Sequence, residues 1–332
     1  MGTGQRQEWL RRFVPLTNGV PAHDTFGRVF AMLDTGRFAA CLLRWTQSWA
    51  EAAPGRVIAL DGKTLRNSFD DATGKKALHL VSAWSTDNRL TLGQVACAEK
   101  SNEIEALPRL LELLDLNGAV VTIDAMGCQT AIAAQIVEQG ADYVLALKGN
   151  QPTLHALAQD AFVAAAEDPE AVPGLRRMVQ KERRRGRDEV REYWIMPAPA
   201  AVSALPGWEH VRSLGMVLRR RLAADGTDAE AELRYYLDSR APQVRRFAHA
   251  VRSHWGIENP LHWQLDVTFS EDASRIRKGA GPETTGLLRR VAVSTLHRGK
   301  DTWDSQASFR LARKAAGWST DVLEQILFGK PS

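Results

Sequence analysis

Two acids of this chain stand in the same local setting. Val57-Ile58-Ala59-Leu60 is a short apolar run that ends in Asp61, followed by Gly62 and Lys63. Ala119 to Ile123 is a second, β-branched run, and it ends in Asp124. Runs this short read as buried strands rather than helices. Each aspartate then stands at the rim of a strand, and Gly62 lets the backbone turn and approach a ligand closely. A carboxylate in that position can be a metal ligand; it can equally cap a helix or close a turn. Two such carboxylates on neighbouring strands repel each other unless a cation joins them. Their hard oxygens suit Mg²⁺ or Mn²⁺.

A third candidate acid lies in His254-Trp255-Gly256-Ile257-Glu258-Asn259-Pro260-Leu261-His262. Glu258 has an aromatic and apolar setting, where an unpaired carboxylate is costly. A metal, or a structural ion pair with a nearby arginine, relieves that cost. Glu258 and His262 are four apart and share one face of an α-helix. Pro260 either kinks that helix or opens a second one capped by Asn259. Asp266, Glu271 and Asp272 compete for the same role, and the residues alone do not choose among them.

The elements that must position these acids follow an α/β order. After the Asp61 strand come strands over Ala77–Trp84 and Arg89–Cys97, joined by the turn Ser85-Thr86-Asp87-Asn88. Then a helix over Ile104–Leu116, the Asp124 strand, a helix over Thr130–Gln139, a strand over Tyr143–Leu147 and a helix over Gln151–Phe162. A meander followed by crossover units is the order of the ribonuclease-H-like fold, which sets Asp61 and Asp124 on adjacent central strands. A helical hairpin precedes this core, with Phe26, Val29, Phe30 and Leu33 on one helix and Phe38, Leu42, Trp45 and Trp49 on the other. Residues 174–238 change to alternating strands: Arg176–Lys181, Glu189–Met196, His210–Leu222 and Ala229–Leu237. Helix returns over Val244–Ile257, Leu287–Leu296 and Ser308–Phe328. The expected organisation is α/β: a helical N-terminal region (1–54), the first part of the core (55–165), a mainly β insertion (166–240), and the completion of the core with its acidic and C-terminal helices (241–332). The Ala-rich stretch Ala161–Ala171 is the nearest thing to a linker.

Composition narrows the function. At 44% hydrophobic and 25% charged residues the chain has a globular balance, and no run of 18 or more apolar residues reads as a membrane span. Met1 to Phe13 is charged rather than signal-like. The three cysteines, Cys41, Cys97 and Cys128, form no CxxC pair, so neither a disulfide framework nor a thiolate zinc site is indicated; a reducing cytoplasm fits. A net charge of +4 leans toward anionic partners. Basic clusters sharpen that: Lys181-Glu182-Arg183-Arg184-Arg185-Gly186-Arg187, then Arg219 to Arg221, then Arg275, Arg277 and Lys278. Such groups hold nucleic-acid phosphates without reading sequence, or they guard exposed strand edges. No glycine-rich phosphate loop follows any strand, which disfavours a nucleotide cofactor.

Several longer segments carry a resemblance. They are Ala22 to Phe30, Ala59-Leu60-Asp61-Gly62-Lys63, Ile123-Asp124-Ala125-Met126-Gly127, Leu147-Lys148-Gly149-Asn150-Gln151, His254 to Asn259, Leu261 to Phe269, and Glu271-Asp272. In this order they resemble the DDE transposases of bacterial insertion sequences, in the group that includes the H-repeat-associated proteins. The resemblance implies a ribonuclease-H-like core interrupted by a β-rich insertion, with Asp61 and Asp124 as its two aspartates and Glu258 as its glutamate. It implies two Mg²⁺ (or Mn²⁺) ions held by those three acids, cleavage at the element's ends, and transfer of the freed 3′-hydroxyl into target DNA. The partners it implies are double-stranded DNA and further copies of the chain, because two DNA ends must be brought together; the location is the cytoplasm, at the nucleoid. With it, Lys63, Lys148, Arg183, Arg184, Arg185, Arg252, His254, Arg275 and Arg277 are the candidate DNA contacts. Members of the group usually carry a longer helical region ahead of His-Asp-Thr-Phe, so the resemblance also implies a shortened start. Its alternatives are a DNA-binding relic without activity, and a nuclease of the same fold that cuts without joining.

Overall fold

A computed structural model describes residues 3–49, 53–69, 74, 76–97, 103–184, 187–222 and 228–329. Three helices open the chain: α1 (Thr3–Arg11), α2 (His23–Met32) and α3 (Thr35–Gln47). Strands β1 (Val57–Thr64), β2 (His79–Ser85) and β3 (Leu90–Cys97) follow. Next come α4 (Glu103–Glu112), β4 (Val120–Ile123), α5 (Thr130–Glu138), β5 (Asp142–Leu147) and α6 (Pro152–Glu167). A run of strands succeeds them: β6 (Arg176–Arg184), β7 (Arg187–Pro197), the short α7 (Ala200–Ser203), β8 (Ser213–Leu222) and β9 (Asp228–Asp238). Then α8 (Val244–His254), a π-helix over Glu258–Thr268, α9 (Gly281–Asp304), α10 (Phe309–Trp318) and α11 (Thr320–Phe328) complete the chain. The chain divides into two compact units. One holds Met1–Glu51, Gly62–Asn102 and Glu258–Ser332; the other holds Ala52–Asp61 and Glu103–Ile257.

The second unit is built on a mixed sheet with strand order β1-β4-β5-β9-β8-β7-β6. β1, β4 and β5 run parallel, and their apolar runs are buried almost throughout, as parallel strands covered on both faces must be. β9 turns antiparallel on β5, and β8, β7 and β6 continue antiparallel. The strands of segment 166–240 therefore extend the same sheet outward from β5. α8 lies on this sheet through Phe247, Ala248, Ala250 and Val251, which share one core with Val57, Val120, Val144, Ile195 and Tyr236. That packing needs glycine at Gly215 of β8, where a Cβ would stand 2.3 Å from the Phe247 ring.

The first unit is organised by α9. The β2–β3 hairpin pairs His79 with Cys97 and Ser85 with Leu90. α9 reaches it through Arg290, which is fully buried and donates from Nε to Ser82 Oγ (2.9 Å) and from Nη1 to Glu271 Oε1 (2.9 Å). α2 meets α9 where Thr284 Oγ1 donates to the Phe30 carbonyl (3.3 Å). Just after α3, Trp49 takes the Arg298 guanidinium of α9 over its ring at 4.8 Å. Leu296, Ala312 and Ile326 bury the α9–α10–α11 contact. Among the described residues, no helix is long and apolar enough to cross a membrane.

The mixed α/β architecture and its element order match the expectation, with three local corrections. The Ala-rich stretch over Ala161–Ala171 is no linker, because α6 runs on to Glu167 with Phe162 and Ala165 buried; alanine is the strongest helix former. Arg219 to Arg221 do not stand as free basic edge groups. β8 sits between β7 and β9, and cross-strand register brings Arg219 to Glu189, Arg220 to Glu192 and Arg221 to Glu230. Lastly, α8 stops at His254, and Glu258 opens a separate π-helix. Pro260 lies in its first turn, where a missing N–H leaves nothing unpaired. In that wider winding, with its i→i+5 bonds, Glu258 and His262 no longer have the α-helical spacing expected of them.

Candidate active site

The register of β1 on β4 sets the geometry of the two aspartates. Leu60 is the partner of Ile123, the last paired positions of two parallel strands. The next residue on each is an aspartate, Asp61 on β1 and Asp124 just past β4. Both are half-buried. Asp124 also does what a lone aspartate in this position would do: its Oδ1 accepts from the Met126 N–H at 3.0 Å and caps the 3₁₀ turn Ala125–Gly127. Gly127 closes that turn where a Cβ would stand 2.3 Å from Ile123 Cγ2.

The loop after β5 holds the turn in place. Asn150 Nδ2 donates to the Ala125 carbonyl (2.6 Å), and Gln151 Nε2 donates to the Cys128 carbonyl (3.0 Å). These two side chains thus bind the backbone on either side of the Asp124 turn. Sequence reasoning missed them; their place in Leu147–Gln151, directly after a strand parallel to β4, was the available signal. Cys128 is buried and its thiol pKa is pushed up to about 12 by that burial, so it remains a neutral core group.

His254 closes the same end of the second unit. Its Nδ1 lies 3.1 Å from Thr122 Oγ1, on the strand that leads to Asp124. Burial lowers its pKa to about 4, against the raising effect of the Asp124 charge. At pH 7 the ring is therefore uncharged and brings hydrogen bonding, not charge, to this strand end.

The other expected contacts fall into distinct settings. Lys63 has its Nζ between Asp266 Oδ1 (2.7 Å) and Asp272 Oδ1 (3.2 Å), with only 10% of the side chain exposed. Two of the acids that competed with Glu258 are thus engaged by a lysine, and Glu271, the third, is buried against Arg290. Glu258 itself is exposed at the start of the π-helix. Arg252 is paired with Glu182 at 2.8 Å, and Arg183 lies 3.7 Å from Asp188. Arg184 ends β6 opposite Arg187; Arg185 lies outside the described residues. Lys148 and Arg275 are exposed. Arg277 donates Nε to the Asn67 carbonyl (3.2 Å) and lies 4.9 Å over the Phe69 ring.

Two adjacent half-buried carboxylates fit a hard divalent cation in donor chemistry: oxygen ligands of like charge whose repulsion a cation removes. Among the described residues, no group of three or more His, Cys, Asp or Glu side chains is gathered for a metal, so the assembled part of the candidate site is the aspartate pair.

Comparison with known proteins identifies the family. A family model described as "Transposase DDE domain" matches residues 52–294, and one described as "DDE_Tnp_1-associated" matches residues 3–46. "Putative transposase YncI" of Escherichia coli O157:H7 is 38% identical over 97% of this chain and 82% of its own length. "H repeat-associated putative transposase YhhI" of Escherichia coli K12 is 34% identical over 97% of this chain and 84% of its own length. With an aspartate directly after the last paired residue of each of two parallel strands, and with relatives that include the H-repeat-associated proteins, this chain belongs to the DDE transposase family.

Proposed function

We propose that this chain is a metal-dependent DNA transposase, which cleaves double-stranded DNA at the ends of an insertion sequence and joins the freed 3′-hydroxyl to target DNA. The observation that carries this reading is the β1–β4 register, in which Leu60 faces Ile123 and an aspartate follows each. The mixed sheet, with β1, β4 and β5 parallel, supports the ribonuclease-H-like assignment of the core.

In this reading Asp61, Asp124 and Glu258 hold two Mg²⁺ or Mn²⁺ ions. When bound, such a pair of ions activates the attacking oxygen and stabilises the leaving oxygen of an in-line displacement at phosphorus. The protein's own part is position and charge. Asn150 and Gln151 fix the turn that carries Asp124. His254, neutral and bonded to Thr122, fills the space beside that strand end without adding a competing charge. Lys148, exposed directly after β5, offers a cation for a phosphate near the carboxylates. Hydrolysis at the element's end and attack of its 3′-hydroxyl on target DNA are the same displacement with different oxygens, so one set of carboxylates serves both.

The test is cleavage of a labelled DNA carrying the ends that flank the gene, in Mn²⁺, by the wild type and by Asp124→Asn and Glu258→Gln. Cleavage by the wild type alone is the expected result. Cleavage retained in Asp124→Asn would remove Asp124 from the catalytic set. Binding without cleavage by the wild type would favour an inactive DNA-binding protein. Supplying a pre-cut 3′-hydroxyl end and a target plasmid separates a transposase from a nuclease that cuts without joining.

A further inference from the structure

The sheet of the second unit has a second end, away from Asp61 and Asp124, and a cavity of about 320 Å³ opens there. His210, Arg212, Asp238, Arg240, Gln243 and Arg246 contribute to its lining. Its position follows from topology. β9 is antiparallel to β5 and pairs Asp238 with Val144, so Asp238 stands at the end where β5 begins. Asp61 and Asp124 stand at the other end, directly after Leu60 and Ile123, where the β1–β4 pairing stops. α8 joins the two ends: its first turn lines the cavity, and its last residue, His254, touches Thr122 next to the Asp124 end of β4.

The charges in the cavity are unequally satisfied. Asp238 is buried and takes Arg240 in a two-point pair, Nε to Oδ1 at 2.9 Å and Nη2 to Oδ2 at 2.8 Å. Asp142 accepts from Ser239 Oγ at 2.7 Å. Arg212 and Arg246 are exposed, and among the described residues neither has a carboxylate partner. The start of α8 is unusual in the same sense. Its first turn holds Arg245 and Arg246 and no acid, and the Gln243 side chain gives it no cap. A helix N-terminus carries positive partial charge and favours anions, so two cations placed there raise its energy. An anion seated among the first-turn N–H groups, Arg212 and Arg246 would reverse that cost.

The outer face of α8 extends the pattern. Arg245 and His249 are exposed at i and i+4 on that face, and Arg252 at i+7 is half-buried and paired with Glu182, while Phe247, Ala248 and Val251 are buried beneath. α8 has 11 residues, which at 1.5 Å per residue is roughly 16 Å. At 3.4 Å per nucleotide step this spans about five base pairs of duplex.

We propose that the cavity at the start of α8 is a binding site for a backbone phosphate of duplex DNA. It is reached along the basic face of α8 and lies several base pairs from the bond cut at the carboxylates. Arg212 and Arg246 make the contact. This rests on the DNA reading above, and the experiment separates the two.

DNA binding by the full chain is measured by fluorescence anisotropy between 50 and 200 mM salt, for the wild type, Arg212→Ala/Arg246→Ala and Arg212→Lys/Arg246→Lys, with thermal melts as a control for folding. Each lost phosphate contact removes about 0.9 from the slope of log affinity against log salt. The alanine pair is expected to be shallower by about 1.8, and the lysine pair to keep the wild-type slope, because a point charge suffices for a phosphate. An alanine pair with the wild-type slope would overturn this inference while leaving the DNA reading intact. So would calorimetric binding of inorganic phosphate that the alanine pair loses with no change in DNA slope; the cavity would then be a small-anion site. A wild type that binds no DNA would overturn both.

Discussion

Arg290 offers the sharpest test of how the first unit is held together. Its side chain and that of Glu271 are both fully buried, 2.9 Å apart, and Arg290 also donates to Ser82 Oγ and to the Gly286 carbonyl. The guanidinium thus ties α9 at once to the β2 hairpin strand and to the segment after the π-helix that begins at Glu258. Replacing it with leucine removes three hydrogen bonds and strands the Glu271 carboxylate without its cation. Breaking one side of a buried pair costs about 3–5 kcal/mol, chiefly because the remaining charge is uncompensated. At about 2–4 °C per kcal/mol for domains of 150–250 residues, the melting temperature should fall by roughly 6–20 °C. Glu271→Leu should cost a similar amount for the mirror-image reason. The double variant, Arg290→Leu with Glu271→Leu, should recover much of the loss, since a matched apolar pair has no charge to desolvate. The measurement is thermal or urea unfolding of the three variants beside the wild type. Single variants that each lose under about 1 kcal/mol, or a double variant that simply adds the two losses, would refute the reasoning and relegate the pair to a bystander.

Three other outcomes follow from contacts described above. Asn150→Ala loses the bond to the Ala125 carbonyl, worth about 1 kcal/mol; DNA cleavage should slow while DNA binding, measured by anisotropy, stays near the wild-type value. Gly215→Ala drives a methyl into the Phe247 ring, and overpacking of this kind costs about 1–3 kcal/mol, to be read as a lower urea midpoint. Burial depresses the pKa of His297, whose Nε2 lies 2.9 Å from the Pro260 carbonyl. The unfolded chain then binds the proton more readily than the folded one, so stability should fall as pH drops below the ordinary histidine value of about 6.5. His297→Asn should flatten that part of the pH–stability curve, and an unchanged curve would remove His297 from the account.

Much of the candidate site was legible because it follows from period and punctuation. The runs ending at Asp61 and Asp124 are short, β-branched and terminated by a polar residue, and such runs have few ways to be buried except as central parallel strands. The π-helix was not legible. Pro260 announced a break after Glu258 but not the winding that follows it, since that winding is set by partners distant in the chain: His297 at the Pro260 carbonyl, and Lys63 on Asp266 and Asp272. The same limit applied to the competing acids. Nothing local distinguishes Asp266, Glu271 and Asp272 from Glu258; their cations come from Lys63, 203 and 209 residues before Asp266 and Asp272, and from Arg290, 19 residues after Glu271.

The arginines carry the more general lesson. Arg219, Arg220 and Arg221 read as a basic cluster along the chain, yet pleat and register deliver a glutamate to each from a neighbouring strand. Arg212 and Arg246 stand apart in sequence and read as nothing, yet they face one cavity. Charge counted along a strand overstates what is available to a ligand, because antiparallel neighbours are where compensating charges are most cheaply placed. Charge at a helix start is the opposite case: the helix's own field opposes it, and α8 supplies no acid in its first turn to balance it. An uncompensated cation is therefore more informative there than three in a row on a strand. By that reasoning the DNA-binding surface of the second unit is to be sought along α8 before it is sought on the face of β6 to β9.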